Sequence, residues 1–456
     1  MNLKRLSLKD YQTINIIFNY FIKLNIFLIF LFARTYTGVT IFGYRIGELL
    51  IGISLIFLIF FAVISPLFLK TYFLNNKSIN FLILLLLISF IFLNIYNQNE
   101  FSNPFIYQTS SYIWSIGAIL LGFYITKFIN FKILYTDISI SLSGLFIIYL
   151  YSTKGISENR QNFLLQFSDK FEYPKGSDIL LAFIFIFYFL TKKLDFSKKS
   201  LYIFLVFTAL FIPLFLVKSR SGFFSIIFFS IILMIKYKSN IKKIDYKIFF
   251  VFIISIFVFL ISTSWVVGRE LVIDEEIDDE LKYAITSRYQ GINDNLYESE
   301  VLKLKLFYFE NGRLFSSDGN LNWRFQIWQD ILSDMINSNN LFFGYGFDKI
   351  IPAMNVEDRL GQDKQNINVH SYIFHILSRG GLFHLLIIIF LYFLIYNKFK
   401  RNNLSFDYFL ITIPLIFNSL FDPSMENPHY PVILYFLLGL ALNNSIIFNE
   451  VKTGKE

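Results

Sequence analysis

The chain has 456 residues, of which 55% are hydrophobic and 59 are phenylalanine, and its formal net charge is +8. This composition excludes an ordinary soluble domain, and the apolar runs are too long for the strands of a membrane barrel. We therefore predict an all-α fold, a polytopic membrane helix bundle. The chain contains no cysteine, which excludes disulfides, thiolate metal sites and cysteine nucleophiles.

A membrane-spanning helix needs about 20 mostly apolar residues, and this criterion predicts about twelve spans. They lie near 15–33, 46–68, 79–97, 111–128, 133–151, 177–192, 200–217, 221–237, 247–267, 380–397, 406–421 and 430–447. Lysine and arginine collect in alternate loops, whereas the short loops 98–110 and 422–429 contain neither. By the positive-inside rule both termini are cytoplasmic. The basic charge thus reflects membrane topology, and we expect no nucleic-acid partner.

One polar insertion, residues 268–369, interrupts the apolar pattern and divides the chain. It holds 18 acidic against 10 basic residues, and we predict that it is an extracytoplasmic loop. Spans 1–9 occupy residues 1–267, while spans 10–12 and a short cytoplasmic tail occupy residues 370–456. Inside the insertion, "NLNWRFQIWQDILSDMI" has helical periodicity and predicts an amphipathic helix capped by Asn320.

The stretch "VKSRSGFF" places Arg220 where span 7 ends and span 8 begins, on the predicted outer side. A guanidinium is a planar fork that matches phosphate oxygens, and the start of a helix also favours anions. Arg220 is therefore a candidate ligand for a phosphate group. The alternative is an arginine that extends to the membrane interface without binding a ligand.

The stretch "NWRFQIWQD" places Arg324 and Trp328 four residues apart, so both lie on one face of the predicted helix. An aromatic ring beside a cation suits a sugar phosphate, because the ring stacks on the sugar while the guanidinium binds the phosphate. The alternative is a surface helix with an interfacial tryptophan and a solvated arginine. Gly344 and Gly346 follow, and they predict a tight turn after this helix.

His370 stands at the end of the polar insertion, with Asn368 and Tyr372 close by. A neutral imidazole is the natural base for removing a proton from a sugar hydroxyl near pH 7. The alternative is an exposed or structurally paired histidine. His375 lies five residues later, points in another direction and is expected to have a structural role.

Arg379 and a Gly-Gly pair follow in "SRGGLF", directly before an apolar run. Arg379 is either a phosphate ligand or an interfacial anchor. The two glycines allow the helix to bend or to pack closely where it meets the membrane.

The order of these motifs resembles that of the O-antigen polymerase/ligase family of membrane glycosyltransferases. The motifs stand as "SRSG" (219–222), "RFQIW" (324–328), "GYG" (344–346), "HSY" (370–372) and "RGGLF" (379–383). The resemblance covers about residues 200–445. The first five spans match this family only in general character.

The resemblance implies an enzyme in the bacterial inner membrane that acts at the periplasmic face, without metal or other cofactor, in lipopolysaccharide biosynthesis. Its donor and acceptor are undecaprenyl-diphosphate-linked oligosaccharides, and a chain-length regulator protein is a further expected partner. Arg220 and Arg324 would hold the diphosphate, and His370 would act as the general base. We add Arg379 as a predicted diphosphate ligand. We also predict that the sugars contact Trp328, Tyr372 and Asn368.

Three functions stay open at this point. A Wzy-type polymerase moves the growing glycan onto the next lipid-linked repeat unit, and we favour it because Ser371 stands where ligases often carry asparagine. An O-antigen ligase moves the finished glycan to lipid A-core or to a protein. A lipid-linked oligosaccharide flippase could also have twelve spans. However, transporters tend to contain internal repeats, and this chain shows none while its polar residues gather in one loop.

Overall fold

The computed structural model describes residues 77–128, 133–154, 175–240, 246–271, 307–310, 312–316, 318–356 and 367–442. It also describes residues 163, 166 and 359 and parts of 16–49. Within these ranges the chain is mostly helical, in keeping with the predicted all-α membrane fold. Two short antiparallel hairpins are the only strands in the described part.

The elements that precede the polar insertion begin with the hairpin β1 (Thr40–Ile41) and β2 (Tyr44–Arg45). The helices are α1 (Lys77–Tyr96), α2 (Pro104–Thr109), α3 (Ser111–Trp114), α4 (Gly117–Phe128), α5 (Tyr135–Lys154), α6 (Gly176–Lys193), α7 (Lys198–Lys218), α8 (Arg220–Asn240) and α9 (Tyr246–Leu271). The insertion contains β3 (Phe307–Glu310), β4 (Arg313–Ser316), α10 (Gly319–Asn337) and a 3-10 turn at Pro352–Met354. The elements that follow are α11 (Tyr372–Arg401), α12 (Ser405–Ser419), a 3-10 turn at Pro423–Glu426 and α13 (His429–Ala441).

Five helices in the described part are long and apolar enough to cross a membrane. These are α1, α7, α8 over Arg220–Lys238, α9 over Tyr246–Val266, and α11. Helices α4, α5, α6, α12 and α13 also fall at predicted spans, although the fourth predicted span is divided between α3 and α4. Most of the predicted span 46–68, and part of 15–33, lie outside the described residues. The count of twelve and the topology stay predictions.

Helix α6 lies at the centre of the bundle, since it is apolar on every side and nearly every side chain from Ile179 to Leu190 is buried. Phe183 packs against Phe211 of α7 with ring centroids 5.6 Å apart. Helix α9, in contrast to α6, exposes many of its apolar side chains. Phe249, Phe250 and Phe257 on α9 are all more than half exposed, which suits a helix that faces lipid.

The amphipathic helix predicted in the insertion is confirmed as α10, but its predicted cap is wrong. Asp318, not Asn320, caps the helix, because the Asp318 backbone is extended and Oδ1 accepts a hydrogen bond from the N–H of Leu321 over 2.9 Å. The buried face of α10 consists of Ile327, Trp328, Ile331 and Met335. A second, smaller apolar core forms around these residues and includes Val369 and Leu377.

The tight turn predicted at Gly344 and Gly346 is confirmed, with φ angles of +70° and +82°. This turn lies along the start of α11, and the N–H of Gly346 donates to the carbonyl of Arg379 over 3.0 Å. The bend predicted at the Gly-Gly pair is also confirmed, since Gly381 interrupts α11 with φ +69°. A Cβ at Gly381 would lie 2.1 Å from the carbonyl oxygen of Phe342, so only glycine fits there.

Candidate functional site

Two cationic side chains from separate parts of the chain act on His370, and a third, Arg220, acts on one of these two. The positive charges of Arg324 and Lys175 both act on the His370 imidazole. The charge of Arg220 acts in turn on Arg324. The structure therefore brings together Arg220, Arg324 and His370, which the sequence motifs had singled out, and adds Lys175, which they had not.

His370 is partly exposed and has a left-handed backbone, with φ +54°. Its ring packs edge-on against Trp323, with ring centroids 5.1 Å apart. Burial lowers the pKa of His370 to about 3, with further contributions from the charges of Arg324 and Lys175. The imidazole is therefore neutral at pH 7, as a general base must be before it accepts a proton.

Arg220 is the first residue of α8, and the residue before it caps that helix. The Ser219 hydroxyl accepts a hydrogen bond from the N–H of Gly222 over 3.1 Å. The Ser221 hydroxyl donates to Oδ1 of Asn418 on α12 over 3.1 Å, which ties the start of α8 to the end of α12. The Arg220 side chain is 71% exposed, and its Nη1 forms an ion pair with Asp318.

Arg324 lies on α10 and is partly buried. Burial and the like charge of Arg220 lower the pKa of Arg324, whereas the nearby carboxylate of Asp422 raises it. Among the described residues, Nε of Arg324 has no hydrogen-bond partner. A buried guanidinium N–H without a partner is unfavourable, and an anionic oxygen would satisfy it.

Lys175 directly precedes α6, and close packing holds this end of the helix against the "SRSG" motif. A Cβ added at Gly176 would lie 2.3 Å from Cβ of Ser219, so a larger residue would push the two segments apart. Asp178, in the first turn of α6, pairs with Nε2 of His429 at the start of α13 over 2.7 Å. The close packing at Gly176 and the Asp178–His429 contact thus fix the position from which exposed Lys175 acts on His370.

Sequence reasoning missed Lys175, Asp318 and Asp422 as site residues. Each stands next to the end of a helix or predicted span, where a charged residue is an ordinary occurrence, so nothing in its local context distinguishes it. For Asp178 and His429 a usable signal exists, since each is an ionisable residue in the first turn of an apolar helix.

Within the described ranges, no group of three or more His, Cys, Asp or Glu side chains is placed to hold a metal ion.

The predicted sugar contacts of Trp328 and Tyr372 do not fit the structure. Trp328 is buried and stacked on Phe374, with ring centroids 5.1 Å apart, so that face is not open to a sugar. Tyr372 is buried, and its hydroxyl faces that of Tyr435 at 3.5 Å. Trp328 is enclosed because α10 packs this face onto the start of α11. Tyr372 is enclosed separately, in the main core, where its ring lies edge-on to that of Tyr112.

The aromatic ring that stands beside His370 is that of Trp323. The third predicted sugar contact, Asn368, lies partly buried in the extended segment just before His370.

The predicted diphosphate contact of Arg379 also lacks support from its position. Arg379 is 1% exposed, and its Nη1 donates to the carbonyl oxygens of Gly346 and Lys349. Its guanidinium also lies over the ring of Phe105, 5.2 Å from the centroid. Arg379 therefore stabilises the glycine turn from inside the protein and is not one of the cations around His370.

The structural role expected of His375 fits its buried position. Its Nε2 lies 2.7 Å from the carbonyl oxygen of Thr109, and its Nδ1 lies 3.4 Å from Glu426. These contacts join α11 to the end of α2 and to the 3-10 turn before α13.

Comparison with models of known protein families identifies part of the chain. Residues 203–389 match the family model described as O-antigen ligase, which confirms the resemblance to the O-antigen polymerase/ligase family and gives no support to a flippase. No curated protein matches the chain. The matched segment contains Arg220, Arg324 and His370, whereas Lys175 and Asp422 lie outside it.

Proposed function

We propose that this member of the O-antigen polymerase/ligase family is a polymerase of a bacterial surface polysaccharide. It transfers a growing glycan from undecaprenyl diphosphate to the next lipid-linked repeat unit, at the periplasmic face of the inner membrane. The observation that carries the proposal is a neutral, partly exposed histidine under the charges of Arg324 and Lys175, with Arg220 acting on Arg324.

The cations suit the leaving group of this reaction. When the glycan leaves its carrier, the diphosphate takes the bonding electrons and its negative charge increases. Arg220, Arg324 and Lys175 supply positive charge from three segments of the chain. Such preorganised charge stabilises a developing anion most where water is partly excluded, as it is around Arg324.

His370 suits the acceptor side of the reaction. Its neutral imidazole removes the proton from the acceptor hydroxyl as that oxygen forms the bond to the anomeric carbon. In the same step the bond from the anomeric carbon to the phosphate oxygen breaks. The proton then passes from His370 to the departing diphosphate or to water, so that charge and atoms balance.

The charges around His370 also link base strength to donor binding. Without substrate, burial and then the charges of Arg324 and Lys175 hold the pKa of His370 at about 3, which makes it a weak base. A bound diphosphate offsets both cations and raises this pKa. His370 is therefore a stronger base when the donor is in place than in the free enzyme.

A ligase is the second candidate, because the matched family is described as O-antigen ligase. The bond chemistry is the same, and only the acceptor differs. Ser371, at the position where ligases often carry asparagine, is the feature of this chain that favours a polymerase.

Deletion of the gene distinguishes the two functions. Loss of a polymerase leaves single repeat units on lipid A-core, whereas loss of a ligase leaves long chains on undecaprenyl diphosphate. The wild-type chain should restore the normal pattern, and the His370→Ala chain at equal membrane abundance should not. If deletion leaves polymer and linkage unchanged, both functions are refuted.

A further inference from the structure

Asp318 joins two cationic segments of the site through its two carboxylate oxygens. Oδ1 accepts the N–H of Leu321 over 2.9 Å and so caps α10, the helix that carries Arg324. Oδ2 pairs with Nη1 of Arg220, the first residue of α8. One carboxylate therefore connects the start of the helix that carries Arg324 to the Arg220 guanidinium.

Arg220 needs such a partner to keep one position. Its side chain is long and 71% exposed, so without an ion pair it would sample many rotamers, and binding an anion would have to suppress them. Asp318 is only 21% exposed, and its hydrogen bond to the N–H of Leu321 fixes its position at the start of α10. Within the part of the chain that the structure describes, the pair uses Nη1, which leaves the Nη2 edge of the guanidinium for phosphate oxygens.

Asp318 also offsets repulsion inside the site. Arg220 and Arg324 are close enough for the charge of Arg220 to lower the pKa of Arg324. Asp422 interacts favourably with Arg324, and Asp318 does the same for Arg220. The two guanidiniums thus stay together before any anion binds.

We propose, on the basis of the function proposed above, that Asp318 is a positioning residue for the lipid diphosphate. It does not touch the ligand, and it acts by holding Arg220 beside Arg324 in the arrangement that binds the phosphates. Its removal weakens diphosphate binding even though a negative charge has been taken away from an anion site.

The test uses the full-length protein in lipid nanodiscs, titrated with farnesyl diphosphate, which presents the lipid diphosphate without any sugar. Asp318→Asn keeps the helix cap, because asparagine caps as well as aspartate, but it loses the ion pair. We expect its dissociation constant to rise about three- to fivefold, the effect of an exposed ion pair. Asp334→Asn removes the same charge from elsewhere on α10 and should leave binding unchanged or slightly tighter.

A double-mutant cycle with Arg220→Gln shows whether Asp318 acts through Arg220. In the Arg220→Gln background, Asp318→Asn should have no further effect. An equal effect in both backgrounds overturns the proposal, because it shows that Asp318 acts on the helix alone. Tighter or unchanged binding by the Asp318→Asn single variant also overturns it, since Asp318 would then compete with the phosphate or play no part.

The failure of the proposed function has a different signature. If Arg220→Gln binds farnesyl diphosphate as tightly as the wild type, Arg220 is no diphosphate ligand, and the site itself is wrongly assigned. If Arg220→Gln weakens binding and the Asp318 variant does not, only the role of Asp318 is refuted.

Discussion

The indole Nε1 of Trp328 donates a hydrogen bond to the backbone carbonyl of Val369 over 2.9 Å. Val369 directly precedes His370, whose backbone is left-handed with φ +54°. A non-glycine residue adopts this conformation only where its surroundings impose it. Trp328 thus determines where the histidine stands, although its ring is enclosed in the protein.

Trp328→Phe should keep the stacking on Phe374 and lose only the hydrogen-bond donor. We expect kcat to fall about tenfold, the usual effect of a lost buried hydrogen bond on a positioned group, while farnesyl diphosphate binding stays unchanged. Trp114→Phe is the matched control, since it removes the indole hydrogen bond to the carbonyl of Tyr107, which measures 3.1 Å. Equal losses in the two variants would show a general folding effect.

His370→Gln should lower the rate of glycan transfer by about 10²- to 10⁴-fold, the usual contribution of a general base. Glutamine preserves the size and polarity of the side chain but cannot take up the proton. The rate is measured as polymer formed per unit of membrane-inserted protein. Full-length polymer at the wild-type rate would exclude His370 as the base.

Arg220→Lys should fail almost as badly as Arg220→Ala in transfer and in diphosphate binding. An ammonium group keeps the charge but cannot make the two parallel hydrogen bonds of a guanidinium. The dissociation constants of both variants for farnesyl diphosphate, together with their rates of glycan transfer, test this prediction. A fully active lysine variant would indicate a simple interfacial charge.

The pH dependence of the free and the loaded enzyme should differ. His370 acts in its neutral form, so activity is lost as pH falls through its pKa. In the free enzyme that pKa is about 3, and the acid limb of kcat/KM that comes from His370 should lie far below pH 6.5. In the loaded enzyme the diphosphate raises the pKa, so the acid limb of kcat should lie at higher pH. Coinciding acid limbs in the two profiles would contradict this link between donor and base.

Lys175→Gln should move the acid limb of the kcat/KM profile to higher pH. The reason is that the positive charge of Lys175 helps to lower the pKa of His370, and its removal raises that pKa. The same variant should weaken farnesyl diphosphate binding. Lys193→Gln, at the other end of α6, is the matched control and should change neither quantity. A shift with both variants would point to net charge instead of the position of Lys175.

Hydropathy was enough to place the long apolar helices among the described residues, because a membrane-spanning helix must be apolar over a length that the bilayer dictates. The glycine turn at Gly344 and Gly346 and the bend at Gly381 also followed from residue type, since few other residues adopt these backbone angles. Arg220, Arg324 and His370 could be singled out in the same way, because affinity for phosphate and the ability to accept a proton are properties of these side-chain types.

Only the tertiary structure decided which side chains share the site and which lie in the interior. Helical periodicity allowed Trp328 to face a ligand, but packing of α10 on α11 enclosed it and left Trp323 beside His370. Arg379 was enclosed between the glycine turn and Phe105. Asp318 pairs with Arg220 although 98 positions separate them, and Lys175 acts on His370 from a distant part of the chain. No local pattern records such contacts. The sequence by itself thus determined the helices, the turns and the reactive groups, whereas long-range packing selected the partners of each group.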